Sequence, residues 1–542
     1  MRRAANQIFI EVLGCLLSLT GMTACVAARA ATAVPMPQLI SAHGRYELRV
    51  AGKPFLILGA QVNNSSNYPA MMPEVWPAIT YVDANTVAMP VAWEQIEPTP
   101  GKFNFSFLDL FLHQVRQHHM HAILLWFGTW KNGTPDYAPS WIKLNNRRFP
   151  RIVDREGRPV NSLSPLAKTT LDADRTAFVT LMKHLKAVDP QHTVIMVQVE
   201  NETGSRGSVR DHSAAATRLF HGPVPEPLVR ALRLRPGTWK QVFGHDAGDL
   251  FHAWNIARFV EKVAAAGKAV YPLPMYVNAA LRDPFPQKLP HPYEYGGPTY
   301  NAISVWKVAA PDITLIGPDI YTRNSRAYGK ILQQYHRPDN PLFVTETGNA
   351  PAFARFLFAA LGHQGIGFSP FGVDYTGYFN YTLGLHGIDR QSLHRLSREY
   401  HLLRPMDALL SRLSFENRVR AVAEPNDGHS QTITFGRWQA RVEFNMHEFG
   451  FRPYKRLRPP RGGVLIARLG RDEFLVTGVD ARVVFSLAKP QRNESMIYRR
   501  VVQGVYRNDS WRVKTRWTGG WTYFGLNFTS KPVVLHVHLG VY

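Results

Sequence analysis

Residues 197–204, VQVENETG, end an apolar run in two acids that bracket an amide: Glu200, Asn201 and Glu202. The residues leading into them, VIMVQ at 194–198, read as a strand buried on both faces, which sets both acids at or just past its end. A carboxylate there is costly unless it has a partner or a chemical task. A second apolar run, PLFVTE at 341–346, also ends in an acid, Glu346, and a third, TLIGPDIY at 314–321, ends in Tyr321. Two carboxylates on one rim, one protonated while the other is charged, are the equipment for acid/base hydrolysis of a glycosidic bond.

The elements that must position these residues form a pattern. Apolar runs recur at 55–60 (FLILGA), 86–91 (TVAMPV), 122–127 (AILLWF), 194–199, 274–279 (PMYVNA), 314–321, 341–346 and 365–371 (GIGFSPF). Helical stripes lie between and after them: Phe107, Leu108, Phe111, Leu112 and Val115 share one face, as do Leu393, Leu396, Tyr400, Leu403 and Met406. Eight buried strands alternating with helices predict an α/β fold, a (β/α)8 TIM barrel, whose functional side chains gather at the C-terminal strand ends. Long stretches after the third and fourth runs, 130–174 and 203–236, are expected to be binding walls. Beyond about residue 415 the period becomes two: Trp438, Ala440, Val442 and Phe444 alternate with polar residues, as do Trp511, Val513, Thr515 and Trp517. That predicts a C-terminal all-β sandwich. The expected divisions are a leader at 1–30, the barrel at 31–415 and the sandwich at 416–542.

The first thirty residues carry Arg2 and Arg3, an apolar core at 12–26 and a small-residue exit at Ala28-Arg29-Ala30, the order of an export signal. The core is too short to span a bilayer, and no later run is long enough, so no integral membrane span is expected. Met22-Thr23-Ala24-Cys25 is similar to a bacterial lipobox, in which case Cys25 carries a lipid anchor. The expected location is therefore outside the cytoplasm, free in the periplasm or lipidated at the outer membrane. Both cysteines, Cys15 and Cys25, lie in this leader, which removes disulfides, thiolate zinc sites and cysteine nucleophiles from the remainder. A net charge of +23 suits nucleic acid, anionic lipid or acidic polysaccharide. The arginines are dispersed and no nucleic-acid reader motif accompanies them, so nucleic acid is not an expected partner.

VQVENETG resembles the acid/base strand of the clan A retaining glycoside hydrolases, and FVTE at 343–346 resembles their nucleophile strand. Residues 90–108, PVAWEQIEPTPGKFNFSFL, resemble the second-strand signature of the family 35 β-galactosidases, and the sandwich resembles the C-terminal domain of a bacterial branch of that family. The resemblance implies Glu202 as general acid/base and Glu346 as nucleophile, with Asn201 on the sugar 2-hydroxyl. It implies Tyr321 as a donor to Glu346 and Glu97 as a grip on the terminal sugar. Glu200 is then a structural partner turned away from the face that Glu202 uses, and Asp319 fixes the end of the sixth strand. The first strand departs from the family pattern: it ends GAQVNN at 59–64, without the expected His-Tyr.

Trp130 and Trp141, read as loop residues, are candidate stacking platforms for a sugar face, whereas Trp126 reads as core. His118, His119 and His121 sit at a helix end without an accompanying carboxylate motif and are expected to be solvated, so no metal or cofactor is expected. Neither a phosphate-cradling glycine loop nor a Gly-x-Ser-x-Gly elbow is present. The expectation is an exo-acting β-galactosidase with a carbohydrate substrate. The rivals are another clan A glycosidase, such as a β-glucosidase, β-mannanase or galactanase, and a non-catalytic glycan-binding protein.

Overall fold

The computed structural model describes residues 34–285, 293–444, 459–507 and 510–542. The leader at 1–30 lies outside the described residues. A small antiparallel sheet comes first: β1 (Gln38–Ala42), β2 (Arg45–Val50) and β3 (Lys53–Phe55). The barrel strands are β4 (Ile57–Gln61), β5 (Thr86–Ala92) and β6 (His121–Lys131), then, after a hairpin of β7 (Arg151–Val153) and β8 (Pro159–Leu163), β9 (Val194–Asn201), β10 (Met275–Ala279), β11 (Leu315–Ile320), β12 (Phe343–Thr347) and β13 (Gly367–Pro370). They close in the order β10-β11-β12-β13-β4-β5-β6-β9, with parallel pairing throughout. This is the expected TIM barrel. Each of the eight apolar runs coincides with or overlaps one barrel strand, because a strand buried on both faces has no polar face to blur its pattern.

The barrel interior is filled by Ile57, Ile123, Leu125, Phe127, Tyr276, Leu315 and Phe343, and Leu48 and Val50 of β2 belong to the same cluster. The first sheet thus contributes to this interior. Its signal is present in the sequence as Tyr46, Leu48 and Val50 alternating with Arg45, Glu47 and Arg49. Outside, the helix Ser106–Gln117 buries Leu108, Phe111, Leu112 and Val115. Each such side chain contributes about 1.5–3 kcal/mol on leaving water.

Ten strands follow among the described residues: β14 (Val419–Ala423), β15 (Gln431–Phe435), β16 (Trp438–Phe444), β17 (Gly463–Arg468), β18 (Glu473–Val479), β19 (Ala481–Leu487), β20 (Met496–Arg507), β21 (Ser510–Trp517), β22 (Leu526–Phe528) and β23 (Val533–Val541). They form a six-stranded sheet, β14-β17-β18-β23-β20-β21, and a four-stranded sheet, β15-β16-β19-β22. Val464, Ile466, Phe474 and Val476 of the larger sheet pack with Trp438, Val442, Val483 and Phe485 of the smaller. The residues between them, Leu465, Ala467 and Leu475, join the cluster that includes the barrel's outer helices. Period-two alternation here reflects two buried faces, one toward each layer. The alternation at Trp511–Trp517 has another meaning: β21 is an edge strand, Val513 is 57% exposed, and only Trp517 of that stretch is buried.

The seam between β13 and β4 is short, with Gly367 opposite Ile57 and Phe368 opposite Leu58. Tyr400, fully buried on the helix Arg390–Leu403, reaches it with a hydroxyl 2.8 Å from the Gly59 carbonyl and 2.9 Å from that of Phe368. One phenol therefore bridges the two strands that close the barrel. Tyr400→Phe should lower unfolding free energy by about 1–2 kcal/mol, the worth of a buried hydrogen bond. Urea denaturation checks this, and an unchanged midpoint would show that the bridge carries no load.

Candidate active site

The C-terminal strand ends bring the acids of three strands together. Glu202 follows β9, Asp319 lies in β11 and Glu346 in β12, and one carboxylate oxygen from each lies within 4.8 Å of the others. All three side chains are buried. Asp319 and Glu346 face each other in register on adjacent strands. Gly317 permits that closeness: a Cβ there would stand 2.3 Å from Thr345 Cγ2. Thr345 in turn donates its hydroxyl to Asp319 Oδ1 at 2.8 Å.

Glu346 is held by two donors, Tyr321 through its hydroxyl to Oε2 at 2.6 Å and Gln61 through its amide to Oε1 at 2.8 Å. Burial and the neighbouring Glu202 charge raise its pKa, while Lys131 and these two donors oppose the rise. Burial also lifts the Tyr321 phenol far above its ordinary value, so it stays a proton donor. Gln61 belongs to the first-strand segment that departs from the family 35 pattern. Farther along that segment, Asn63 bonds to Asp374 through both its backbone N–H and its side-chain amide, each at 2.7 Å, and Ser66 adds a third bond at 2.9 Å.

Glu202 has a different setting. Its backbone N–H donates to Asn278 Oδ1 at 2.9 Å, and Asn278 donates its amide to Asp319 Oδ2 at 2.7 Å. Asn132 donates to Glu202 Oε2, and Lys131 Nζ lies 3.6 Å from the same oxygen. Burial raises the Glu202 pKa; Lys131 draws it down and Glu294 pushes it up. Asp319 is raised well above the carboxylate range by burial and by the charges of Glu346 and Glu202. Three carboxyls thus share one buried pocket with a single close ammonium.

The backbone leaves strand geometry here. Alternation alone would set Glu200 and Glu202 on one face. Both adopt left-handed backbone, φ 64° at Glu200 and 43° at Glu202, which costs a non-glycine residue roughly 1–2 kcal/mol each. The irregularity sends Glu200 to a different set of partners from Glu202. Its Oε2 accepts the Trp130 N–H at 2.7 Å, and its pKa is raised well above the usual range by burial and by Asp174. Asp174 accepts from the Trp126 indole at 2.9 Å and from Thr129, so Glu200 is anchored in a buried polar cluster behind the site.

Between these two acids, Asn201 is fully buried with neither amide atom hydrogen-bonded, and Gln198 on the same strand is in the same condition. Unpartnered buried amides are rare and mark capacity reserved for something else. One sequence expectation fails, at Trp130, and another site residue, Glu97, has partners within the protein. Glu97 accepts from the Gly101 N–H at 2.8 Å and the Trp93 indole at 2.9 Å, so each of its oxygens also fastens a turn. Trp130 is in β6 and not in a loop; it is fully buried, edge-on to Phe259 with ring centroids 4.8 Å apart, and offers no face to a ligand. Trp141 is half-buried and edge-on to Trp93. Exposed aromatics occur instead at Tyr378, Phe379 and Tyr381, after β13.

Sequence reading missed Lys131, Asn132, Gln61 and Asn278, whose polarity at the ends of apolar runs was the available signal. His118 and His121 are occupied otherwise, His118 stacked on Trp76 and His121 edge-on to Phe55.

Residues 76–243 match a family model described as β-galactosidase, of glycoside hydrolase family 42 type. The match spans the barrel strands β5, β6 and β9. Residues 396–529 match a domain of unknown function, DUF5597, which overlaps the last barrel helices and most of the sandwich. β-Galactosidase 10 of Arabidopsis thaliana is 29% identical over 168 residues, which are 29% of this chain and 20% of that protein. Among solved structures, the β-galactosidase of Bacillus circulans sp. alkalophilus aligns with a TM-score of 0.46 at 12% identity, over 66% of this chain and 57% of that one. That of the psychrophilic Marinomonas ef1 aligns with a TM-score of 0.47 at 13% identity, over 66% and 61%.

The ammonium of Lys131 lowers the pKa of both Glu202 and Glu346. Lys131→Met should therefore raise both, moving the acid and alkaline limbs of kcat/KM on an aryl galactoside to higher pH together. A profile that stays in place, or moves down, would contradict this electrostatic reading.

Proposed function

We propose that the protein is a retaining, exo-acting β-galactosidase that removes terminal β-galactosyl residues from oligosaccharides or plant cell-wall side chains. The observation that carries the reading is the approach of Glu202 and Glu346, with carboxylate oxygens within 4.8 Å in one buried pocket. Retention calls for carboxyl groups about 5–5.5 Å apart, whereas inversion leaves about 6.5–9.5 Å for a water molecule between them. The β-galactosidase model over residues 76–243 supports the choice of sugar, and the family 35 resemblance at residues 90–108 points the same way. The leader supports action outside the cytoplasm.

In this mechanism Glu346, held ionised by Tyr321 and Gln61, attacks the anomeric carbon while Glu202 protonates the departing oxygen. The products of that step are a glycosyl ester on Glu346 and a free aglycone. Water then attacks the same carbon, Glu202 takes its proton, and the ester bond breaks to return Glu346 as carboxylate. Glu202 must start protonated, as its burial favours, and end as a base. Loss of the Glu346 charge in the ester lowers the Glu202 pKa at the right moment, since that neighbouring charge no longer opposes ionisation. The unpartnered amide of Asn201 suits the sugar 2-hydroxyl, where a hydrogen bond strengthens as the oxocarbenium ion forms.

Glu346→Gln should reduce hydrolysis of nitrophenyl β-galactoside on the order of 10⁴-fold or more with the fold intact. Azide should restore turnover to Glu346→Gly as a glycosyl azide of inverted configuration, and to Glu202→Gly as one of retained configuration. Wild-type rates in the Glu346 variants would remove that residue from the mechanism, and faster turnover of a glucoside or mannoside in the wild type would replace the sugar.

A further inference from the structure

Away from the barrel mouth, a cleft of about 770 Å³ opens between the helix Arg390–Leu403 and the sandwich. That is within the range of pockets that enclose small ligands, about 300–1,000 Å³. Its charged lining is of one sign: Arg398 from the helix, and Arg507, Lys514 and Lys531 from β20, β21 and the segment before β23, with His394 and His401 beside them. Among the described residues, neither Asp nor Glu lines it. Two acids lie beside the helix wall and offset part of its charge. Asp83 pairs with His401 and Arg404, and Glu399 is wholly buried, with Arg398 and Arg395 as its charged neighbours. Arg507, Lys514 and Lys531 form no ion pair among the described residues.

The positive surface continues past the cleft. β20 and β21 together carry Arg499, Arg500, Arg507, Arg512, Lys514 and Arg516, and no acid. Arg512 and Arg516 flank Lys514 and are exposed like it on the edge strand. Arg512 and Arg516 share the strand face of Lys514, so the uncompensated cations of the sandwich side form one surface, and like charge gathered in this way points to an external anion. The cleft also has apolar walls, with Leu402 and Met406 on one side and Val505 and Val533 on the other. Cations over apolar walls suit a ligand that alternates carboxylates with the C–H faces of sugar rings.

We propose that this cleft binds an acidic oligosaccharide, a run of uronate residues, and tethers the enzyme to an anionic glycan while the barrel works on neutral side chains. The site is separate from the acids at the barrel mouth, so it stands or falls independently of the β-galactosidase reading. It gives the domain of unknown function a binding role and a reason for the excess positive charge.

The test is calorimetric titration with tetragalacturonate, using its methyl ester as the uncharged control, on the wild type and on Lys514→Glu/Lys531→Glu. Both substituted residues are exposed and remote from the barrel pocket, so hydrolysis of nitrophenyl β-galactoside should be unchanged and reports a folded enzyme. The wild type should bind the acid and not the ester, more weakly as salt rises, and the double variant should bind at least about tenfold more weakly. Arg398→Gln, which removes a cation from the opposite wall, should also weaken binding. No binding of tetragalacturonate by the wild type, equal binding by the double variant, or equal binding of the ester would overturn the proposal. So would binding of single-stranded DNA or anionic vesicles in place of the uronate.

Discussion

The pocket formed by Glu202, Asp319 and Glu346 cannot hold three charges. Their oxygens approach within 4.8 Å with Lys131 as the close ammonium, in a region almost without solvent. At such distances in a low dielectric, like charges repel strongly enough that protons are retained instead. The trio therefore titrates as a unit. Each member accepts hydrogen bonds: Glu346 from Tyr321 and Gln61, Asp319 from Thr345 and Asn278, and Glu202 from Asn132 with Lys131 close by. Asp319, raised well above the carboxylate range by burial and by the charges of both glutamates, keeps its proton. The two glutamates are then left to divide the remaining roles, one carboxylate and one neutral acid, as displacement at a glycosidic carbon requires.

Holding that arrangement takes most of the barrel. β4 supplies Gln61, β6 ends in Lys131, β9 leads to Glu202, β10 carries Asn278, β11 carries Asp319, and β12 carries Thr345 and Glu346. A one-residue slip in any strand would turn its side chain out of the pocket. The two left-handed residues at 200 and 202 are a local cost, offset by bonds the distortion makes possible. Glu200 reaches the Trp130 N–H, and the Glu202 N–H reaches Asn278. The amide between them, Asn201, is left with both polar atoms unpartnered beside the acids.

The barrel was legible because its strands are short apolar runs with helical stripes between them. The paired acids were legible because Glu202 and Glu346 close two of those runs. Their supporting residues were much less so. Lys131 and Asn132 follow an apolar stretch that the sequence pattern ends several residues earlier, and β6 continues to Lys131. Trp130 was misjudged for the same reason, as a loop residue when it is the buried end of a strand. Glu97 sits in a motif that suggests sugar contact, and its oxygens also accept from Gly101 and Trp93, a pairing set by how the turn closes. The outward turn of Glu200 depends on a backbone sign that spacing does not encode. On the edge strand β21, aromatic and aliphatic residues alternate with arginines without burying a face, so periodicity alone suggested a core that is not there.

The central claim is that Glu346 forms a covalent bond to the sugar. Incubation with 2,4-dinitrophenyl 2-deoxy-2-fluoro-β-galactoside slows the second step and traps the intermediate. Mass spectrometry of a proteolytic digest should then find one fluorosugar per chain, esterified to Glu346 in the peptide that contains residues 343–347. A label on another carboxylate, or rapid turnover that releases an inverted sugar and leaves the protein unlabelled, would contradict the account.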